Sequence, residues 1–181
     1  GEIPVDRPVD REGLRNTAAR TIRAKIRVRN PSVRAIDVHG HFGPYDRGLG
    51  TRVDGLMGGT AAEVAQRGAD CGIEITVMSA IHGLIPYRGN VIQGNIDAEA
   101  SAGDHPGIRF WTIIDPRVPE SYDQSDRLLA HPRCLGIKIH PHAHQYEINE
   151  FGTDLFEFAS GRSAVVLTHS GDIGSYPEDF V

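Results

Sequence analysis

Apolar residues fall into two kinds of segment that alternate along the chain. The first kind consists of short, continuous runs rich in β-branched residues, which are typical of strands buried on both faces. These runs lie at residues 33–38, 73–81, 108–114, 135–139 and 164–168. The second kind has helical spacing and lies at residues 61–69, 91–102, 119–130 and 153–160. This alternation predicts an α/β fold with a parallel sheet.

The first 30 residues have a different pattern. Residues 1–12 are rich in proline and charge and predict an extended arm. Apolar residues then recur every four positions, which predicts an amphipathic helix over about residues 11–27. We therefore expect an N-terminal arm and helix at residues 1–30, followed by one domain at residues 31–181.

Two architectures fit the alternating pattern: a doubly wound open sheet, or part of a (β/α)8 TIM barrel. No G-x-G-x-x-G or Walker sequence follows the first strand, so a nucleotide-binding sheet has no support. Polar residues cluster instead just past the carboxyl ends of the strands, where barrel enzymes build their sites. We therefore expect a (β/α)8 barrel of which this chain carries about the first five βα units.

Composition narrows the range of partners. The 181 residues carry a net charge of −5, which argues against nucleic acid as a partner. No apolar run is long enough to span a bilayer and no secretory leader is recognisable, so we expect a cytoplasmic protein without a membrane partner.

Cys71 and Cys134 cannot define a disulfide framework in a chain of this length, and both are expected to be buried thiols.

The first strand leads directly into a histidine pair. His39 and His41 are two residues apart, so on an extended strand both point to the same face, as does Asp37 one step earlier. Two neutral imidazoles on one face are suitable nitrogen ligands for zinc and similar ions. His169 directly follows the fifth strand. In a barrel the three histidines would converge on one mouth and leave room for water on a bound metal.

The fourth strand carries a second inward pair. Lys138 and His140 share a face by the strand period of two, and the isoleucines between and beside them take the other face. A buried ammonium is unfavourable unless it is paired or neutralised. Three interpretations remain open for Lys138: a carbamate that bridges two metals, a salt link to a substrate carboxylate, or a structural ion pair.

The other histidines are weaker candidates for the functional site. His142 and His144 lie in a proline-containing loop, where we expect them to be solvated. His82 and Tyr45 are candidates for the lining of the mouth. The remaining two histidines each precede a proline between a helix and a strand, which predicts the opposite end of the barrel: His105 and His131.

Three motifs in order, AIDVHGHFG, GIKIHPHAHQY and VVLTHSGD, resemble the amidohydrolase superfamily, in particular its amidohydrolase-related branch of metal-dependent hydrolases and decarboxylases. The segments DCGIEITVMSA and HPGIRFWTIIDPRVPE are similar to that branch's second and third strands, so the resemblance covers about residues 33–178. It implies a TIM barrel in which His39, His41 and His169 are metal ligands. It also places Lys138 at the position that some relatives carbamylate.

Family members complete the site with a histidine after strand six and an aspartate after strand eight. The sequence ends at Val181, before any sixth strand. A complete barrel usually needs roughly 250 residues. We therefore expect a chain truncated after strand five, or one whose missing strands come from another polypeptide.

The resemblance implies a hydrolase in which a metal-activated water attacks the carbonyl of a small-molecule amide or lactone. Zinc is the expected cofactor, with manganese, iron or cobalt as alternatives. Lys138 and His140 are the expected catalytic residues, with His140 holding the substrate or the oxyanion. One alternative is a metal-dependent, non-oxidative decarboxylase of an aromatic or unsaturated acid. Others are a catalytically incomplete fragment or non-catalytic paralogue, and a flavodoxin-like binding domain. A homo-oligomer is compatible with the family.

Overall fold

A computed structural model describes residues 34–44, 58–84 and 89–170 of the chain. In these residues strands alternate with helices, as the sequence predicts. The strands are β1 (Ala35–Phe42), β2 (Ile73–Ala80), β3 (Ile108–Ile113), β4 (Cys134–Ile139) and β5 (Val165–Thr168). The helices are α1 (Ala61–Asp70), α2 (Val91–Asp104), α3 (Glu120–Leu129), α4 (Pro141–His144) and α5 (Ile148–Gly161), and a 3₁₀ turn covers Ile81–Gly83.

The five strands form one parallel sheet in the order β1-β2-β3-β4-β5. Sequential order means that every crossover moves the chain in the same direction, whereas doubly wound sheets reverse direction at a switch point. Parallel crossovers are nearly always right-handed, so this order places the connecting helices on one face. The sheet curls into a half-barrel, which is compatible with part of a β/α barrel and contradicts the flavodoxin-like alternative.

Apolar side chains on the outer face of the sheet form the core with the helices. Met78, Ala80 and Phe110 pack with buried residues of α1, α2 and α3 in one cluster. Ile137 and Ile139 pack with α5 in a second cluster. Because strand side chains alternate, the residues between these positions face the concave side of the sheet.

The structure differs from the prediction by more than two residues at two element boundaries and contains one additional helix. β1 continues to Phe42, so both histidines of the pair lie within the strand and not at its entry into a loop. A short helix, α4, occupies the predicted histidine loop, with Pro141 at its first turn and His140 as its N-cap. α5 begins at Ile148 instead of residue 153, and Gly152 lies buried inside the helix.

The expectation of two buried thiols is wrong for Cys71, which is exposed in the turn after α1, whereas Cys134 is partly buried. The predicted arm and helix at residues 1–30 lie outside the described residues. Within the described part of the chain, no helix has the length and apolar character needed to cross a bilayer.

Candidate functional site

The carboxyl ends of β1, β4 and β5 supply the residues that the sequence singled out. His39 and His41 lie on β1, and Lys138 lies one residue before the end of β4. His140 follows β4 directly. His169 follows β5, where its backbone N–H donates to the Ile139 carbonyl at 3.2 Å and extends the pairing of the two strands. The parallel register therefore places His140 and His169 side by side at the sheet's edge.

Lys138 is completely buried, and its side chain crosses the concave face of the sheet. Its Nζ atom lies 3.3 Å from Nε2 of His39 on β1, although β2 and β3 separate the two strands in the sheet. Burial lowers the pKa of Lys138 to about 8. The Lys138 amine therefore loses its proton at a pH much closer to neutral than an exposed lysine does.

The two histidines of β1 are held in their neutral form. Their rings meet edge to face, with centroids 5.1 Å apart. Burial, Lys138 and His169 lower the pKa of His39. Burial and the neighbouring His39 and Lys138 lower the pKa of His41 to about 4. Because each of these groups affects the pKa of another, His39, His41, Lys138 and His169 form one electrostatic cluster.

His140 and His169 stack on each other with their ring centroids 4.0 Å apart. Burial, together with His169 and Lys138, lowers the pKa of His140 to about 3. Nδ1 of His140 accepts the backbone N–H of Ala143 at 3.2 Å, which is the N-cap contact of α4. A neutral imidazole that accepts at Nδ1 carries its proton on Nε2. His140 therefore presents an N–H donor.

The donor chemistry of this cluster fits a divalent metal. Neutral imidazoles are ligands for zinc and related ions, and Nδ1 of His41 is buried without a hydrogen bond. Among the described residues, however, no three His, Cys, Asp or Glu side chains converge closely enough to enclose an ion. The Lys138 amine instead lies against Nε2 of His39. The metal site therefore stays a prediction from the sequence.

Two of the three further histidines have structural contacts. His144 is 5% exposed and its Nε2–H donates to the Gly83 carbonyl at 3.0 Å, so the expectation that it is solvated is wrong. This contact ties α4 to the turn after β2. His142 is exposed, as expected. Nε2 of His82 lies 3.0 Å from a carboxylate oxygen of Asp97 on α2.

The other sequence candidates lie away from this cluster or outside the described residues. His105 and His131 precede β3 and β4, at the opposite end of those strands. Tyr45 lies outside the described residues.

Sequence reasoning missed two residues that lie beside the β1 part of the cluster. The indole N–H of Trp111 on β3 donates to the Val38 carbonyl at 2.9 Å and so fixes the backbone next to His39. Ser79 of β2 is the register partner of His41 and is 1% exposed. Trp111 is the chain's only tryptophan, but a contact across 73 residues has no local sequence signal.

No protein-family model matches the sequence, and no curated protein is detectably similar to it. The relation to the amidohydrolase superfamily therefore rests on the three motifs and stays a prediction.

Proposed function

We propose that this protein is a metal-dependent hydrolase of the amidohydrolase type that acts on the carbonyl group of a small molecule. One observation carries the proposal. Three imidazoles and a buried lysine, from three strands, form one electrostatic cluster at the carboxyl end of a curled parallel sheet. This is the end at which barrel enzymes carry out their chemistry.

His39, His41 and His169 are the residues that would hold the ion. The suitability of His39 and His41 comes from their charge state, since only a deprotonated imidazole nitrogen can bind a metal. Burial keeps the pKa values of His39 and His41 below neutral, so binding requires no proton release from them at pH 7. A divalent ion held there supplies a Lewis acid and lowers the pKa of its bound water towards about 7.

His140 is placed to bind the oxygen of the substrate. Its pKa of about 3 excludes the imidazolium at neutral pH, and its contact with Ala143 leaves Nε2–H as the donor. A fixed, neutral donor stabilises negative charge that develops on a carbonyl oxygen without transferring its proton. In the hydrolysis of an amide or lactone, water adds to the carbonyl carbon and the C–N or C–O bond breaks, giving an acid and an amine or alcohol.

Lys138 favours a second candidate function. Its buried amine contacts a neutral partner, and a substrate carboxylate would provide the opposite charge that its cationic form lacks there. A site that holds a carboxylate suits non-oxidative decarboxylation of an aromatic or unsaturated acid, in which the carboxylate leaves as carbon dioxide and a proton replaces it on carbon. Both functions use the same histidines.

The test measures turnover by the purified protein loaded with zinc, and separately with manganese, iron or cobalt. Hydrolysis of a panel of small amides and lactones is measured beside carbon dioxide release from a panel of aromatic acids. We expect hydrolysis that His41→Ala abolishes and that His131→Ala, a substitution at the opposite end of β4, retains. Carbon dioxide release with the same dependence on His41 would establish the decarboxylase instead.

Metal binding without turnover on either panel would contradict both enzymatic proposals. It would support the alternative of a catalytically incomplete or non-catalytic protein. Turnover that survives His41→Ala would contradict the assignment of the site.

A further inference from the structure

β1 carries one residue more than its partner strand at the point where the histidine pair begins. Asp37 pairs with Thr76 and Gly40 pairs with Met78, so three steps along β1 correspond to two steps along β2. This irregularity is a β-bulge, and the residues inside it have no register partner on β2: Val38 and His39. Bulges disrupt the ladder locally and often redirect a side chain beside an active site.

Two side chains bind the peptide group that lies inside the bulge. Oδ1 of the Asp37 carboxylate accepts the backbone N–H of His39 at 2.9 Å. The indole N–H of Trp111, on β3, donates to the Val38 carbonyl at 2.9 Å. This carbonyl and this N–H belong to one planar trans peptide and point in opposite directions. The peptide is therefore held from both sides.

The contact from Trp111 crosses the same concave face as the contact from Lys138. Trp111 lies two residues before Ile113, the register partner of Lys138, so the indole crosses one layer below the lysine side chain. The two side chains reach consecutive residues of β1, because Trp111 bonds the Val38 carbonyl and Lys138 Nζ lies 3.3 Å from Nε2 of His39. The nitrogen of the held peptide is that of His39, so its orientation directs the His39 side chain.

We propose that Asp37 and Trp111 are positioning residues of the cluster. They clamp the Val38–His39 peptide in one orientation and so direct the His39 imidazole towards the Lys138 amine. Both act through the backbone of His39. The inference concerns the arrangement of the protein's own side chains and does not rest on the proposed function.

The first experiment compares Trp111→Phe, which removes the indole N–H and keeps an aromatic ring, with Thr112→Val. The control removes one buried hydrogen bond of the neighbouring residue on β3, the 2.8 Å contact between the hydroxyls of Thr112 and Ser125. We measure Tm and, by NMR, the nuclear Overhauser cross-peak between the His39 ring and the Lys138 side chain. We expect both variants to lower Tm, and only Trp111→Phe to lose the cross-peak.

A cross-peak that Trp111→Phe retains would overturn the proposal. Its loss in Thr112→Val as well would also overturn it, because the His39 ring would then respond to any weakening of β3.

The second experiment separates the acceptor of Asp37 from its charge. Asp37→Asn keeps a side-chain oxygen that can accept the His39 N–H, whereas Asp37→Ala removes it. We expect Asp37→Ala to accelerate hydrogen exchange of the His39 amide by roughly 5- to 10-fold and to lose the cross-peak to Lys138. We expect Asp37→Asn to resemble the wild type in both measurements. Equal effects of the two substitutions would contradict the clamp and assign the role of Asp37 to its charge.

A third measurement needs no variant, so it decides the question even if Trp111→Phe does not fold. Trp111 is the only tryptophan of the chain, and its indole N–H therefore gives a single signal in the wild type. We expect this proton to exchange slowly with solvent because it donates to the Val38 carbonyl. Exchange as fast as that of a free indole would overturn the proposal.

Discussion

Lys138 is the residue at which burial and charge conflict most directly. Its Nζ atom is completely buried, and its contact with His39 joins it to an imidazole that is itself neutral. The sequence predicted the face on which Lys138 lies, because alternation along a strand is a local property. It could not predict His39 as the partner, since the two residues are 99 positions apart and the contact depends on the curl of the sheet.

The lowered pKa of Lys138 predicts that the metal-free protein becomes more stable as pH rises above neutral. Between about pH 8 and pH 10.5 the unfolded chain holds the lysine proton and the folded chain does not. The free energy of unfolding therefore rises with pH over this range, by an amount on the order of 3 kcal/mol. Denaturant unfolding at a series of pH values measures it.

Lys138→Met tests the origin of this rise. We expect the variant to lose that part of the pH dependence and to be more stable than the wild type at pH 7, because it removes a buried cation. Lys25, the only other lysine of the chain, provides the matched control as Lys25→Met. A rise with pH that is equal in the wild type and in Lys138→Met would show that the Lys138 amine is not desolvated.

Among the elements, β5 packs closely against β4 at Gly136. A Cβ atom at this position would overlap the Val165 carbonyl oxygen and would lie 3.0 Å from the ring of Trp111. The glycine therefore allows β5 to pair with β4, and this pairing positions His169. Sequence periodicity identified both strands, but the need for glycine arises from the backbone of a strand that comes 29 residues later.

We expect Gly136→Ala to destabilise the fold by roughly 1–3 kcal/mol, because the new methyl group must displace the backbone of β5. Since β5 carries His169, zinc affinity should fall as well. Gly103→Ala is the matched control, because nothing lies within 4 Å of a Cβ atom at that position of α2. Thermal unfolding and zinc titration of both variants provide the comparison, and equal stability of the two would contradict the close packing of β4 against β5.

Element boundaries were predicted least well near the site. The Gly-rich composition after Val38 indicated a loop, whereas pairing with β2 keeps the chain extended to Phe42. His144 was expected in solvent, but α4 turns its ring towards the Gly83 carbonyl. Both errors have the same cause: tertiary contacts overrode local composition.

For the whole molecule, the sequence predicted the fold class and the succession of the strands from hydrophobic periodicity alone. It also predicted that the polar cluster follows the carboxyl ends of the strands. The sequential strand order agrees with the expected barrel. That expectation rested on the polar residues after the strands, because periodicity does not distinguish a sheet that curls in one direction from one that reverses. The convergence of side chains from β1, β4 and β5 likewise depends on that curl.

Zinc binding by the purified, full chain tests the central claim most directly. Zinc content after equilibrium dialysis is measured for the wild type, for His39→Ala and for His169→Ala, with His131→Ala as the control at the opposite end of β4. The account predicts stoichiometric zinc in the wild type and in His131→Ala, and a loss of zinc in the other two variants. Zinc content that His39→Ala and His169→Ala leave unchanged, or wild-type protein that binds no zinc, would contradict it.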